Sequence, residues 1–239
     1  MTRHWIYMND LPAKLPGDLH IDGEEARHAL RARRLSRGNE ICLFDGRGTL
    51  VTGVIIETGR DSLKVHADEA TFQEIPLPRV HVLAAAPKGE RAERMVEGLS
   101  QVAAAEFTCL SSERSVVHPR QTRIDRWRRN AVEAAKQCKR THLLQINDPV
   151  KLTDYLAEND KDNYFVLDAS GIPYRAGGAE NITLFVGPEG GWSQTELSMF
   201  RDAGTGIISL GPHIMRVETA AVVGTALIIN QEQNHGNTY

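Results

Sequence analysis

Residues 187–191 read GPEGG and place one carboxylate, Glu189, among glycines and a proline. The apolar run NITLFV precedes this loop and is typical of a strand buried in a parallel sheet. Ser193 and Glu196 have the spacing of a capping box, which predicts a helix from about residue 194. The loop is therefore expected at the carboxyl end of a strand, where open α/β sheets bind ligands. The alternative is a tight connection with an incidental acid.

A second loop repeats this plan. The apolar run GIISL ends in Gly211 and Pro212, and an apolar helix is expected from about residue 217. Arg216 and Glu218 lie where that helix begins, and a helix N-terminus favours negative charge. We expect the two Gly-Pro loops to be side by side, with a third strand end at 167–170 completing one pocket. Glycine-walled and mostly apolar, such a pocket suits a small adenosine-like cofactor.

Patterns for other kinds of site are missing from the sequence. There is no GxxxxGK[ST], no GxGxxG after the first strand and no GxSxG, so neither loop is expected to be a phosphate cradle or a nucleophile elbow. The nine histidines show no metal-ligand spacing such as HxxxH, so no metal is expected. The three cysteines are widely separated, which indicates reduced thiols.

Charge and hydropathy limit the partners of the chain. The net charge of −3 excludes a general polyanion binder, so any nucleic-acid contact must come from local basic patches. The N-terminus has no apolar leader, and the apolar run near 219–230 is too short to cross a bilayer. We therefore expect a cytoplasmic protein with no membrane partner.

Two domains are predicted from the change of pattern along the chain. Residues 1–72 are β-rich, with a hairpin signal at 45–48 (DGRG) and one helical insert, as in a small barrel. The two prolines of QEIPLPRV mark a linker at 73–80. From residue 79 to 239 strands and helices alternate, which predicts an α/β domain with a mostly parallel sheet.

A set of motifs resembles the RsmE family of 16S ribosomal RNA uridine-N3 methyltransferases, in the SPOUT superfamily. They are RHALRARRLSRGNEICLFDGRG, PKGER, SSERS, EAAKQCKR, VGPEGGWSQTE and LGPHIMRVETA, spread over residues 28–221. The resemblance implies an N-terminal PUA-like β-barrel that binds RNA, a SPOUT α/β domain with a C-terminal trefoil knot, and a homodimer. It also implies S-adenosylmethionine (SAM) as cofactor and 16S rRNA or the small ribosomal subunit as partner.

Carried over by position, the resemblance assigns the cofactor site to three loops. The implied cofactor-binding residues are Leu167, Asp168, Ala169, Val186, Gly187, Pro188, Glu189, Gly190, Gly191, Ser209, Leu210, Gly211, Ile214, Met215, Arg216, Glu218, Thr219 and Ala220.

Three residues are the candidates for catalysis. Uracil N3 carries a proton at neutral pH, so a site must remove that proton or stabilise the charge that develops on the ring oxygens. Arg216 is the candidate for charge stabilisation, and either Glu189 or Glu218 for the base. The alternative is that Glu218 caps its helix and pairs with Arg216, which would leave both structural.

Two basic stretches are candidates for RNA contact. For both stretches the alternative is a solvated charged face. RHALRARRLSR contains no acid, which favours RNA contact, whereas RQTRIDRWRR contains one acid and leaves both interpretations open. The predicted RNA-binding residues are Arg3, Arg27, His28, Arg31, Arg33, Arg34, Arg37, Lys88, Arg114 and Arg140.

Departures from the family pattern keep other functions open. The segment 98–103 lacks a charged pair and a glycine found in relatives, and His213, Val217 and Cys138 replace the usual Arg, Thr and Ser. The alternatives are a related SPOUT methyltransferase acting on another RNA or on ribose 2′-O, and a non-catalytic RNA-binding homologue.

Overall fold

The computed structural model describes residues 3–12, 14–158 and 162–235 and separates them into two compact units. The first unit contains the described residues up to Ile75 together with Ala135–Leu143. The second contains Pro76–Ala134 and the described residues from Leu144 onward.

The first unit is built on a five-stranded sheet in the order β1-β3-β4-β5-β2. All pairings are antiparallel except that of β1 with β3. A short helix, α1, runs on into one π-helical turn at His28–Ala32. The elements are β1 (His4–Tyr7), β2 (Gly17–Asp22), α1 (Gly23–Arg27), β3 (Glu40–Phe44), β4 (Thr49–Thr58) and β5 (Ser62–Phe72).

The hairpin signal at 45–48 is confirmed as the turn between β3 and β4. Asp45 Oδ1 accepts hydrogen bonds from the backbone N–H groups of Arg47 (2.8 Å) and Thr49 (3.0 Å). Gly46 and Gly48 have φ of +74° and +108°, a region that favours glycine. The short-range turn chemistry therefore sets the register of this hairpin.

The second unit contains a six-stranded, fully parallel sheet in the order β11-β9-β10-β6-β7-β8. This confirms the predicted α/β class. The strands are β6 (Arg79–Ala84), β7 (Glu106–Ser111), β8 (Gln145–Lys151), β9 (Tyr164–Pro173), β10 (Asn181–Val186) and β11 (Gly206–Ser209). The helices are α2 (Arg91–Gln101), α3 (Gln121–Cys138), α4 (Leu152–Glu158), α5 (Gln194–Asp202) and α6 (Val217–His235).

Both faces of this sheet are covered, as a parallel sheet requires. On β6, Val82 and Ala84 join the core that contains residues of α2, α3 and α6. The intervening Leu83 points into a second core, with Phe185 and the α5 residue Phe200. The alternation of side chains along β6 thus explains why its apolar run is continuous.

The sequence analysis missed two elements and was wrong about which strands are neighbours. β8 and α4 were not predicted, because their sequence QINDPVKLTDYLAE is polar and carries a proline inside the strand. The strands ending in the two Gly-Pro loops are not neighbours, since β9 lies between β10 and β11. Strand order depends on long-range pairing, which the local pattern does not encode.

A buried carboxylate holds the end of α6. Glu232 accepts hydrogen bonds from the Tyr174 hydroxyl and from the backbone N–H groups of Gly177 (3.0 Å) and Gly178 (2.7 Å). Burial opposes the charged form of Glu232, but these hydrogen bonds outweigh it and lower the pKa of this carboxyl. The segment between β9 and β10 is thereby tied to the last turns of α6.

We expect Glu232→Gln to lower the free energy of unfolding at pH 7 by about 1–3 kcal/mol, because the charged acceptor of three hydrogen bonds is lost. A carboxyl whose pKa is depressed by folding stabilises the protein above its unfolded pKa, and this contribution disappears as the pH falls through the folded value. The deficit of the variant should therefore be full at pH 7 and shrink below about pH 4.5. Urea unfolding from pH 7 to 3 measures it, with exposed Glu180→Gln as control. Equal stability of Glu232→Gln and the wild type at pH 7 would contradict this account.

Candidate functional site

A cavity of about 590 Å³ lies at the carboxyl ends of β10 and β11 and beside the middle of β9. Its volume is in the range of cavities that hold small ligands. Of the predicted cofactor-binding residues, Glu218 and Thr219 do not line it, and all the others do. It is lined by Leu167, Asp168, Ala169, Val186, Gly187, Pro188, Glu189, Gly190, Gly191, Trp192, Ile208, Ser209, Leu210, Gly211, Pro212, His213, Ile214, Met215, Arg216, Val217 and Ala220.

The first wall is a bulge in β9. Its pairing with β11 shifts between Ile207, which opposes Val166, and Ile208, which opposes Ile172. Residues 167–171 of β9 are thus left outside the register, so the third loop was predicted at a strand end but lies within a longer strand. A Cβ on Gly171 would come within 2.5 Å of the Ile208 backbone, so this close approach requires glycine.

The second wall is the GPEGG loop, which a tryptophan fastens to the first. Trp192 Nε1 donates a 3.0 Å hydrogen bond to the Leu167 carbonyl oxygen. Its ring packs on Gly187, where a Cβ would approach the ring to 2.9 Å. The predicted capping box is confirmed, since Ser193 and Glu196 exchange hydrogen bonds at the start of α5. The loop is therefore anchored at both ends, and Trp192, which directly follows it, was missed as a lining residue.

The loop after β7 braces the GPEGG loop. Arg114 Nη1 donates to the carbonyl oxygens of Gly190 (2.7 Å) and Trp192 (3.4 Å). The buried Glu196 carboxylate also accepts a 2.9 Å hydrogen bond from the Glu113 backbone N–H. Arg114, predicted to contact RNA, thus has its guanidinium engaged with the backbone of the cavity wall.

The third wall leads from β11 into α6. Gly211 has φ of +131°, which favours glycine, and the side chain of Ile214 is 94% exposed. The carbonyl oxygen of Arg216 accepts a 2.8 Å hydrogen bond from the Ala220 N–H, so the hydrogen bonds of α6 begin at Arg216. Arg216 is exposed, and its guanidinium has no hydrogen bond or ion pair within the described part of the chain. It is available to a ligand at the cavity.

The two candidate bases meet at one arginine. Glu189 Oε1 lies 3.2 Å from Arg91 Nη2, and Glu218 Oε2 lies 3.9 Å from Arg91 Nη1. Glu218 therefore pairs with Arg91 and not, among the described residues, with Arg216 as the structural alternative required. Arg91 was missed as a site residue, although it stands in the quoted motif PKGER.

The predicted RNA-binding residues of the first unit differ in their engagement. Arg3 pairs with Glu40 and Arg31 with Asp61, at 2.8 and 2.7 Å. Arg27 donates to its own helix, His28 stacks on His4, and Arg140 is half-buried, with its pKa lowered by burial. Arg33, Arg34 and Arg37 are exposed, and their guanidiniums make neither a hydrogen bond nor an ion pair within the described residues.

The second basic stretch is largely engaged within its own unit. Arg128 lies 3.2 Å from both Asp125 and Asp148, while Arg123 and Arg126 each lie 3.7 Å from Glu93. Arg120 and Arg129 are exposed. A solvated, self-paired face is thus favoured for this stretch. In the second unit, the predicted residue Lys88 is exposed in the turn before α2.

The described residues contain no group of three or more His, Cys, Asp or Glu side chains able to hold a metal ion. None of their helices is long and apolar enough to cross a membrane.

Comparison with known proteins defines the class first. Residues 73–229 match the family model described as an RNA methyltransferase domain, and residues 21–67 match that of an RNA methyltransferase PUA domain. The site and the fold are therefore those of an RNA methyltransferase with an N-terminal PUA domain.

Individual relatives narrow the class. The Mycobacterium bovis protein named ribosomal RNA small subunit methyltransferase E is 31% identical over 87% of this chain and 84% of its own. The chain belongs to the family of ribosomal RNA small subunit methyltransferase E, which confirms the resemblance seen in the motifs. The structure of a probable rRNA-methyltransferase from Porphyromonas gingivalis has a TM-score of 0.84 and 26% identity, covering 97% of this chain and 99% of that one. A methyltransferase E from Neisseria gonorrhoeae, bound to S-adenosylmethionine, shares the fold with a TM-score of 0.86 at 21% identity, covering 94% and 96% of the two chains.

We expect Gly187→Ala to lower the free energy of unfolding by about 1–3 kcal/mol, because the added methyl group displaces the Trp192 ring and breaks its hydrogen bond to Leu167. Chemical denaturation measures the loss. Gly177→Ala is the matched control, since its Cβ would meet nothing within 4 Å. A Gly187→Ala protein as stable as Gly177→Ala would show that the tryptophan does not depend on this contact.

Proposed function

We propose that the protein is a SAM-dependent methyltransferase that methylates a uridine of 16S rRNA at N3. The observation that carries this function is the cavity between the β9 bulge and the loops after β10 and β11. The Arg216 guanidinium at its wall has no partner within the described residues. Family membership supplies the reaction class, and the names of the relatives supply the RNA. The cavity and Arg216 supply the means of carrying it out.

The cavity fits SAM by the chemistry of its walls. Its apolar residues, among them Leu167, Val186, Leu210 and Met215, suit the adenosine, while the glycine loops bring backbone hydrogen-bonding groups to the surface. Gly187 lines the cavity, and its missing side chain leaves room for the Trp192 ring that forms part of the same wall. The bound SAM supplies a methyl group activated by its sulfonium. The Neisseria gonorrhoeae structure of the same fold, which holds SAM, supports this proposal.

The protein has to deal with the N3 proton of uracil. Arg216 stabilises the negative charge that develops on the ring oxygens, assisted by the N-terminus of α6. Glu189 lines the cavity, and its side chain is 41% exposed, so its carboxylate can reach a uracil placed in the cavity. Glu218 is 14% exposed and does not line the cavity. We therefore place Glu189 first as the general base, and Glu218 beside it as the alternative.

RNA binding is assigned to the first unit. Its PUA match and the exposed guanidiniums of Arg33, Arg34 and Arg37 support this assignment, since arginine forks suit phosphates. Residues 1–72 are proposed as the RNA-binding domain, with their sheet closed into the PUA-like barrel, and residues 79–239 as the methyltransferase domain.

Further family properties extend the proposal. A trefoil knot is supported by the path of α6, which starts beyond the edge strand β11 and packs on α2, β6 and β10. A homodimer is supported by apolar side chains left exposed in the second unit, Ile172 (68%), Ile214 (94%) and Val223 (36%). Ribosomal RNA as substrate places the enzyme in the cytoplasm.

The departures from the family pattern bear unequally on substrate choice. None of residues 98–103 lines the cavity, and Gly98 packs against Val222 of α6, so this segment serves helix packing. His213 and Val217 do line the cavity. Modification of another RNA, or of ribose 2′-O, would therefore originate at these two positions. Retention of Arg216 and the paired carboxylates opposes a non-catalytic homologue.

Methylation of purified 16S rRNA and of small ribosomal subunits with labelled SAM, followed by mass spectrometry of the digested RNA, tests the function. We expect label on the N3 of one uridine. Label on a ribose would favour the alternative of a SPOUT methyltransferase that acts on ribose 2′-O. SAM binding without any label on either substrate would overturn the proposed reaction.

We expect Arg216→Met to reduce kcat by at least about 100-fold, because the developing charge loses its cation. The Kd for SAM should change by less than about threefold, because a residue acting on the transition state lowers kcat rather than cofactor affinity. Single-turnover kinetics and calorimetry measure the two quantities, with Arg175→Met, an exposed arginine outside the cavity, as control. Normal turnover by Arg216→Met would remove this residue from the mechanism.

We expect the double variant Arg33→Glu/Arg34→Glu to bind 16S rRNA more weakly and to flatten the slope of log K against log salt by about 2, one phosphate contact for each residue. Fluorescence anisotropy between 50 and about 300 mM salt measures the slope. Arg60→Glu, a reversal at another exposed arginine of the first unit, is the control. A double variant with the wild-type slope would place RNA elsewhere.

A further inference from the structure

Arg91 joins two walls of the cavity through a single guanidinium. One of its nitrogens contacts Glu189 in the loop after β10, and the other faces Glu218 in the first turn of α6, at 3.2 and 3.9 Å. A planar fork with separate donors suits two carboxylates that come from different elements. Arg91 itself does not line the cavity, so it faces the carboxylates and not the space between the loops.

The turn that carries Arg91 is itself fixed. Arg91 Nε donates to the Lys88 carbonyl oxygen at 3.3 Å. The next carbonyl, that of Gly89, accepts a 2.6 Å hydrogen bond from Arg123 of α3, whose guanidinium lies 5.5 Å from the centroid of the Trp127 ring. Gly89 has φ of +64°, which favours glycine at this turn. Arg91 is therefore held in place from α3 rather than by the loops it contacts.

The negative charge of Glu218 is compensated by this arginine. Its Oε2 is buried and has no hydrogen-bond partner within the described part of the chain. The cation facing it is Arg91. A buried carboxylate oxygen without a hydrogen bond is destabilised in place when the cation facing it is removed, and it moves toward water. The position of Glu218, and with it the start of α6 beside Arg216, is thus tied to Arg91.

We propose that Arg91 is a positioning residue for methyl transfer, which acts by holding Glu189 and Glu218 in fixed places around the cavity. The inference rests on the proposed function, in which these carboxylates serve the reaction. It makes Arg91 necessary for turnover although it touches neither cofactor nor uracil.

Kinetics of Arg91→Met test this role, since methionine keeps most of the stem and removes the fork. We expect kcat to fall about 100-fold, as for a misplaced catalytic group, while KM and Kd for SAM stay within about threefold. Arg91→Lys, which keeps the charge but cannot reach both carboxylates with one fork, should recover about 10-fold of the loss. Arg94→Met, an exposed arginine on the same helix, is the control and should turn over like the wild type.

A double-mutant cycle separates positioning from general damage. If Arg91 acts through the carboxylates, Arg91→Met should cost less than about threefold in a Glu189→Gln/Glu218→Gln background, because its partners are already gone. If Arg91→Met lowers kcat by the full 100-fold in that background as well, its defect is independent of the carboxylates and the proposal is overturned. Normal kcat in Arg91→Met, or a loss confined to SAM affinity, would also overturn it.

Hydrogen–deuterium exchange gives a readout that needs no RNA. In Arg91→Met the amides of 187–191 and 217–220 should exchange at least about 10-fold faster than in Arg94→Met, while those of α5 stay unchanged. Unchanged exchange in both segments, 187–191 and 217–220, would overturn the positioning role. If the two variants show this exchange difference but the wild type methylates no uridine, the proposed function is contradicted, while the role of Arg91 in holding these segments is established.

Discussion

The hydrogen bond from the Trp192 indole to the Leu167 carbonyl oxygen is the contact on which the cavity depends. It joins the bulge of β9 to the GPEGG loop that follows β10. The distance between these two walls of the cavity is therefore fixed. The bond exists because Gly187 leaves room for the ring and because Leu167 lies where β9 has left its register with β11. Without these contacts the loop would be mobile. A small cofactor would then bind more weakly, because binding would have to order the loop.

Contacts that lie close in sequence were the ones that could be predicted. The turn at Asp45 and the capping box at Ser193 each depend on a few consecutive residues, and both were found where expected. The composition of the glycine loops also predicted a ligand site, because glycine and proline together are typical of backbone that approaches a ligand closely. The predicted lining of the cavity followed from these loops and from the family resemblance.

Contacts between distant segments could not be read in the same way. The insertion of β9 between β10 and β11, and the bulge within it, follow from pairings that span many residues. Arg91 and Arg114 reach carboxylates and carbonyls about 76–127 residues away in sequence. Nothing in a basic residue's immediate neighbours distinguishes such a role from RNA contact, which is why Arg114 was placed with the RNA-binding residues.

The arginines of this chain illustrate how structure sorts one residue type into three roles. Some pair with nearby acids, as Arg128 does, and so form a self-compensated surface. Others, such as Arg91 and Arg114, organise the loops of the cavity. Others have guanidiniums without an ion pair within the described residues, among them Arg216 at the cavity and the exposed set Arg33, Arg34 and Arg37. Charge that the protein leaves uncompensated is available to RNA, which is itself a polyanion.

The central claim is that the bulge of β9 and the loops after β10 and β11 together bind the methyl donor. A crystal structure of the protein with S-adenosylhomocysteine, the demethylated cofactor, tests it most directly. The account predicts the ligand between residues 167–169, 187–191 and 209–216, with its adenosine against the apolar walls. Ligand density at any other place, or loops that close the cavity with their own side chains, would contradict it.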